Sequence, residues 1–168
     1  TFSGNIGTHA VNAAANPGEA GLDALVVGSF DAGDNRESLV NQIYLDDLNY
    51  SVIGVPTITE SFDTGLGAFD TAQNNTAKGN NFGFSNTANA GGKPGEAGGT
   101  LARTTTADAA YIGDLSLGGQ LSLTQPLILK GRFFLQTGTF DGDMFIGYAD
   151  TSNLGNRLGV SIAEPGGS

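Results

Sequence analysis

Ile43-Tyr44-Leu45-Asp46-Asp47-Leu48-Asn49-Tyr50 reads as the closing strand of a β-sandwich, with partial alternation of apolar and polar residues from Ile43 to Val52. It stands a third of the way along the chain. Ser61-Phe62-Asp63-Thr64-Gly65-Leu66-Gly67-Ala68-Phe69, which reads as an opening strand, comes after it. A sandwich buries its core only when both sheets are complete. Three arrangements satisfy this order: two tandem modules joined here, a permuted fold, or a fold completed by a neighbouring chain.

Working outward, strand signals are short and frequent, separated by clusters of Gly, Asn and Asp, which is the pattern of an all-β sandwich. Thr1 to Ile6 and Thr8 to Asn12 suggest a hairpin across Gly7, and Ala24 to Phe30 is a compact apolar run. Val55-Pro56-Thr57-Ile58 reads as a linker or an edge segment, because proline cannot donate to a ladder. Further strands are expected at Phe82 to Ser85, Gly99 to Thr104, Ala109 to Ile112, Leu121 to Leu123, Leu127 to Thr137, Met144 to Ala149 and Arg157 to Ile162. No window carries helical periodicity, and Ala13-Ala14-Ala15 supports a single turn at most. The strings Asn16-Pro17-Gly18-Glu19-Ala20-Gly21 and Lys93-Pro94-Gly95-Glu96-Ala97-Gly98 echo each other, but their flanks do not, so reuse of a turn-forming string competes with a repeat.

Composition narrows the function. The 168 residues suffice for one good-sized domain, and the absence of cysteine removes disulfide and thiolate chemistry. The net charge of −10 arises from 17 acidic and 7 basic residues in a chain only 14% charged, so Asn, Thr, Ser, Gln and Gly must cover the surface. With 27 glycines and a pI near 4.1, this is the profile of an extracellular or cell-surface β protein. No basic stripe exists to neutralise phosphates, which argues against nucleic acid, and no apolar run is long enough for membrane insertion. Opening at Thr1 without an initiator Met, the chain reads as mature or excised material.

Several short motifs together resemble the concanavalin A-like or laminin G-like jelly-roll modules of secreted bacterial proteins. They are Phe62-Asp63 with Phe69, Phe82-Gly83-Phe84-Ser85-Asn86, Gly95-Glu96-Ala97-Gly98-Gly99 followed by Arg103, Phe140-Asp141-Gly142 with Phe145-Ile146-Gly147-Tyr148, Ile162-Ala163-Glu164-Pro165, and the closing Tyr44 to Tyr50. The resemblance implies a jelly-roll-like two-sheet antiparallel β-sandwich, permuted or completed by a neighbouring chain. Residues 1–54 would form its closing part, 55–60 a linker and 61–168 its opening part. The order departs from such modules, where the closing strand comes last, and strands expected after Glu164-Pro165 are missing.

Candidate sites are sparse, and each has a structural alternative. Asp46 and Asp47, and separately Asp31, Asp34 and Asn35, offer oxygen ligands for calcium, although the second group lacks EF-hand spacing and its terminal Glu. Both sets serve equally as solvent-facing or turn-supporting residues. Glu96 and Arg103 form either a structural ion pair or a polar sugar contact. Phe82, Phe84 and Tyr148 are the platform candidates for a glycan in a chain without Trp, and each also suits a core. Asp141 and Asp143 flank Gly142 in a turn, the five Glu residues are scattered, and His9 stands alone, so neither a glycosidase pair nor a Ser-His-Asp triad is supported. The expectation is a non-catalytic extracellular module that self-assembles into a filament, sheath or surface layer, a homopolymer, through β-strand contacts. A carbohydrate-binding or adhesion module of a tandem-repeat surface protein is the alternative, and a glycan-cleaving enzyme the distant one.

Overall fold

The computed structural model describes residues 21–29, 40–52, 55–71, 80–102, 110–121, 126–137 and 144–162. Among these there is no α-helix. The strands are β1 (Ala24–Ser29), β2 (Val40–Val52), β3 (Val55–Glu60), β4 (Gly83–Ser85), β5 (Glu96–Ala102), β6 (Ala110–Asp114), β7 (Leu129–Thr137), β8 (Met144–Ala149) and β9 (Arg157–Ile162). They form two antiparallel sheets packed as a sandwich, ordered β6-β1-β8-β9 and β4-β5-β2-β7. β3 joins the second sheet along the same edge of β2 as β5: β5 takes Val40 to Leu45, β3 takes Leu48 to Val52, and β7 runs along the opposite edge of both halves.

The decisive stretch is therefore a central strand, and its partners lie within the chain. β1 and β2 are interior strands of sheets otherwise built from residues after Val52, so neither sheet needs a neighbour to supply them. Val55–Glu60, expected as a linker or edge segment, is strand β3 in a hairpin with β2. The expected opening strand at Ser61 to Phe69 is instead a run of turns. Asp63, Thr64, Gly65 and Gly67 favour turns over a ladder, and Gly67 adopts φ 59° beside the Glu60 carboxylate. Phe62 and Phe69 nevertheless reach the core from this loop, stacked edge to face with centroids 5.3 Å apart. Phe62 holds φ 54°, a conformation costly for a bulky residue that burial of its ring offsets.

A β-bulge sets the faces of β2. Ile43 and Leu45 are buried, then Leu48, Tyr50 and Val52, so the apolar positions step by three across Asp46-Asp47 and by two elsewhere. Asp47 takes up the extra residue at φ 51°, which Asp tolerates better than most side chains. Without the bulge, one half of β2 would turn its apolar residues outward. The main core joins these side chains to Leu25, Val27, Ile112, Met144, Ile146 and Tyr148 of the first sheet. Tyr50 donates to Asp114 Oδ2 at 2.7 Å across the sandwich.

The first sheet is also buried on its outward face. Ala24, Val26, Tyr111, Phe145 and Ala149 form a second cluster there, which explains why β1 is buried throughout and apolar from Ala24 to Val27 rather than alternating. Phe145 lies across the paired Gly147 and Gly159, with the Arg157 guanidinium 5.5 Å from its ring centroid.

Candidate functional site

The sheets lie over one another in a fixed sense. The Tyr148 hydroxyl of β8 donates to Ile128 O at 2.8 Å, just before β7, and accepts from Ser51 N of β2. β1 meanwhile approaches β5. The edge strands β7 and β9 therefore border one flank of the sandwich, and β4 and β6 border the other.

On the β7/β9 flank the core is not closed. Phe133 stands opposite buried Leu45, so it belongs to the core-facing side of β7, yet it is 41% exposed. Val160 stands opposite Ile146 on the core-facing side of β9 and is 45% exposed. Leu129, Leu135 and Leu158 are only half-covered beside them. The strands are also basic: of Lys93, Lys130, Arg132 and Arg157, the Lys and Arg among the described residues, all but Lys93 stand on β7 or β9. The opposite flank repeats the apolar feature. Phe84 of β4 shares the core-facing row with Ala97, Leu45 and Phe133, and is 45% exposed.

The residues singled out from sequence separate into different environments. Phe82 and Tyr148 are buried core residues and present no free ring face; burial also raises the Tyr148 hydroxyl pKa. Phe84 is exposed, but at the sheet edge. Asp31, Asp34, Asn35, Arg103, Asp141, Asp143 and His9 lie outside the described residues, as do residues 1–20 and Ser122 and Leu123.

Glu96 is fully buried and held by its own loop. Thr87 Oγ1, Asn89 N and Asn89 Nδ2 donate to one carboxylate oxygen, and Ala90 N donates to the other at 2.7 Å. Burial alone would raise its pKa, but these donors reverse that and hold it below the ordinary range. A carboxylate engaged in this way clamps segment 86–95 and has little left to offer a ligand.

Asp46 and Asp47 do not act as a pair. Asp46 is buried, accepts from Asp47 N at 2.8 Å, and lies against the Cα of Gly91. Burial, reinforced by the charges of Asp47 and Asp63, raises its pKa. Asp47 points to Arg132, Oδ2 to Nε 3.3 Å, in a pair about half exposed on both sides and so worth under about 1 kcal/mol. Calcium takes six to eight oxygens, and among the described residues no three carboxylates or imidazoles gather to supply them.

The outward face of the second sheet bears a row that sequence reading passed over. Gly83, Gly98, Tyr44 and Phe134 stand abreast across β4, β5, β2 and β7. A Cβ at Gly98 would come within 2.1 Å of the Tyr44 ring, which therefore lies on bare backbone, and Phe134 beside it is 41% exposed. The signal for Phe133 and Phe134 was available: adjacent residues of a strand point to opposite faces, so two consecutive aromatics cannot share one core. Comparison of the chain with family models, curated proteins and solved structures returns no match.

Proposed function

We propose that this protein is a non-catalytic structural module that self-associates through its sheet edges, as part of an extracellular filament, sheath or surface layer. The observation that carries this reading is the exposure of core-side aromatics at both edges of one sheet, Phe84 at β4 and Phe133 at β7. Edge strands bearing large apolar side chains invite pairing, and soluble proteins usually blunt them with charge, proline or a covering segment. Lys130 and Arg132 supply such charge on β7, but Arg132 is already paired with Asp47 and both stand on the face opposite Phe133, whose ring they leave uncovered. The cysteine-free, glycine-rich composition fits an exposed, secreted setting.

Sedimentation velocity across a concentration series, followed by negative-stain microscopy, tests the proposal. Concentration-dependent growth into elongated particles is expected. A monodisperse monomer at the highest soluble concentration would sink it.

A second reading has its own observation. The Tyr44 and Phe134 rings, on a glycine floor and flanked by Gln42 opposite Thr100 and by Arg132, offer the flat apolar face on which a sugar ring stacks, in a carbohydrate-binding or adhesion module. Amide chemical-shift changes at Tyr44, Gly98 and Phe134 on titration with soluble oligosaccharides would support it. An unchanged spectrum across cello-, manno- and xylo-oligosaccharides would remove it.

A further inference from the structure

Two edges without a strand partner among the described residues do not by themselves say how copies meet, but strand polarity, side-chain rows and charge restrict the choice. All pairings within the second sheet are antiparallel, so across β4-β5-β2-β7 the strands alternate in direction and the two outermost run opposite ways. A copy displaced sideways without inversion therefore brings its β4 alongside β7 of the first copy in the antiparallel sense that the rest of the sheet uses. A sheet of odd strand number would have presented a parallel mismatch at the same join.

The rows agree with the polarity. Phe84, Ala97, Leu45 and Phe133 lie abreast on the core-facing side, so extending the sheet sets Phe133 of one copy opposite Phe84 of the next and makes the apolar row continuous. Cross-strand aromatic pairs of this kind contribute roughly 0.2–1 kcal/mol relative to an Ala–Ala pair.

Charge favours the same join. The flank bearing β7 carries Lys130 and Arg132. On the other flank, the turns from Ser61 to Asp70 run from the end of β3 to the free edge of β6, where Asp70 and Gly113 exchange backbone hydrogen bonds. They leave Asp63 and Asp70 exposed there, with Glu60 half-covered beside them. With Asp47 beside Arg132 on the first flank and Lys93 in the β4–β5 loop on the second, the excess is positive on one flank and negative on the other. The Asp70 bridge also occupies the β6 edge at Gly113, which leaves the second sheet as the one to be extended.

We infer that the partner is a second copy of this chain, docked head to tail with β7 of one against β4 of the next, so that the second sheet continues from copy to copy. This rests on the self-association reading and specifies its geometry. The contact is heterologous, so it propagates as an open filament rather than closing into a dimer. β4 is only three residues long, so each join is weak and relies on the aromatic pair and the charged flanks.

Because the chain has no cysteine, crosslinking tests the register directly. Gly83→Cys combined with Phe134→Cys, mildly oxidised, is expected to give a ladder of multimers on a non-reducing gel, because the register that sets Phe84 opposite Phe133 sets these two residues opposite each other on the outward face and keeps the aromatic pair. Residues opposed across antiparallel strands have Cα atoms about 4.5–5.5 Å apart, inside the range a disulfide spans. Within one copy the same residues are three strand spacings apart, roughly 14 Å, too far to bridge. Either single variant, whose thiols this docking keeps apart, is expected to stay monomeric on the gel. Sedimentation of each variant before oxidation confirms that it associates like the parent chain. If the parent associates but the pair gives no ladder, or a single variant gives an equal one, this docking is wrong and association uses another surface. If the parent does not associate, the self-association reading itself fails.

Discussion

Replacing Glu96 with Gln removes one charge from the core and leaves the shape almost unchanged, which isolates what the carboxylate does. In the parent, one oxygen accepts from Thr87 Oγ1, Asn89 N and Asn89 Nδ2, and the other from Ala90 N. The amide oxygen of Gln keeps the three donors in its better orientation, and its NH2 then faces the Ala90 N–H, donor against donor. One charge-assisted bond is lost at about 2 kcal/mol, and the other three weaken by roughly 0.5 kcal/mol each as the acceptor becomes neutral. Relief of the buried charge returns part of this, leaving a deficit of about 2 kcal/mol, or about 1 M in urea midpoint. The pH dependence carries a sign. Glu96 has its pKa lowered in the fold, so its contribution is present above the ordinary Glu value near 4.3 and is lost as pH falls through the folded value. Urea unfolding is therefore expected to separate Glu96→Gln from the parent at pH 7, and the two curves to draw together in acid as pH falls through the folded value. Hydrogen exchange should show faster amides at Asn89 and Ala90 in the variant at neutral pH. A gap that is equal at both pH values, or wider in acid, would refute the cage as the origin of the effect.

Three other substitutions probe the flank, the cross-sandwich contact and the buried aspartate. Phe133→Ser removes roughly 60–100 Å² of exposed ring, worth about 2 kcal/mol at ~25 cal/mol/Å², so sedimentation equilibrium should show association weakened about 30-fold; Phe134→Ser should leave it unchanged, and equal effects would remove the core-side face from the interface. Tyr50→Phe deprives Asp114 of its 2.7 Å donor and should cost about 2 kcal/mol in thermal or urea unfolding. Burial, then Asp114, raises the Tyr50 pKa, so the parent's stability from this group is whole below pH ~10 and lost as pH rises beyond it; the variant should decline less steeply there. Asp46 also has a raised pKa, so its favourable contribution belongs to acid pH and is lost as pH rises through the folded value. Asp46→Asn should therefore exceed the parent in urea midpoint at pH 7 and match it below pH ~4, whereas a loss of stability seen only in calcium-containing buffer would assign Asp46 to a cation site.

The parts of the fold legible in the sequence are those where burial alone dictates residue type. β1 is buried on both faces, so Ala24 to Val27 is apolar without alternation, and β8 and β9 fall where apolar runs end in turn residues. The misread segments are those where a residue serves a distant contact. Gly98 looks like punctuation before a strand starting at Gly99, yet it lies within β5, where its missing side chain makes room for the Tyr44 ring. Phe62 and Phe69 looked like a strand because both are core residues, but they enter the core from turns. Pro56 left Val55 to Ile58 readable as a linker or an edge segment, and the second alternative holds: the chain makes the edge strand of a hairpin there, a position that tolerates a missing donor.

The candidate interaction surface was hidden for a different reason. Core and edge positions on a strand carry the same residue types, and only the strand order of the sheet tells which apolar side chains are left uncovered. Leu45 and Phe133 are neighbours on one face; Leu45 is buried because β2 lies between β5 and β7, whereas Phe133 has β2 on one side only. Sequence order left three arrangements open for the segment ending at Val52: tandem modules, a permuted fold, or completion by a neighbouring chain. Among the described residues β1 and β2 pair within the chain, and the incompleteness moves to the sheet edges, where Phe84 and Phe133 end the same row. The four paired strands of that row alternate in direction, so its two ends run opposite ways, which is the ground on which the proposed docking sets one edge against the other edge of an identical copy.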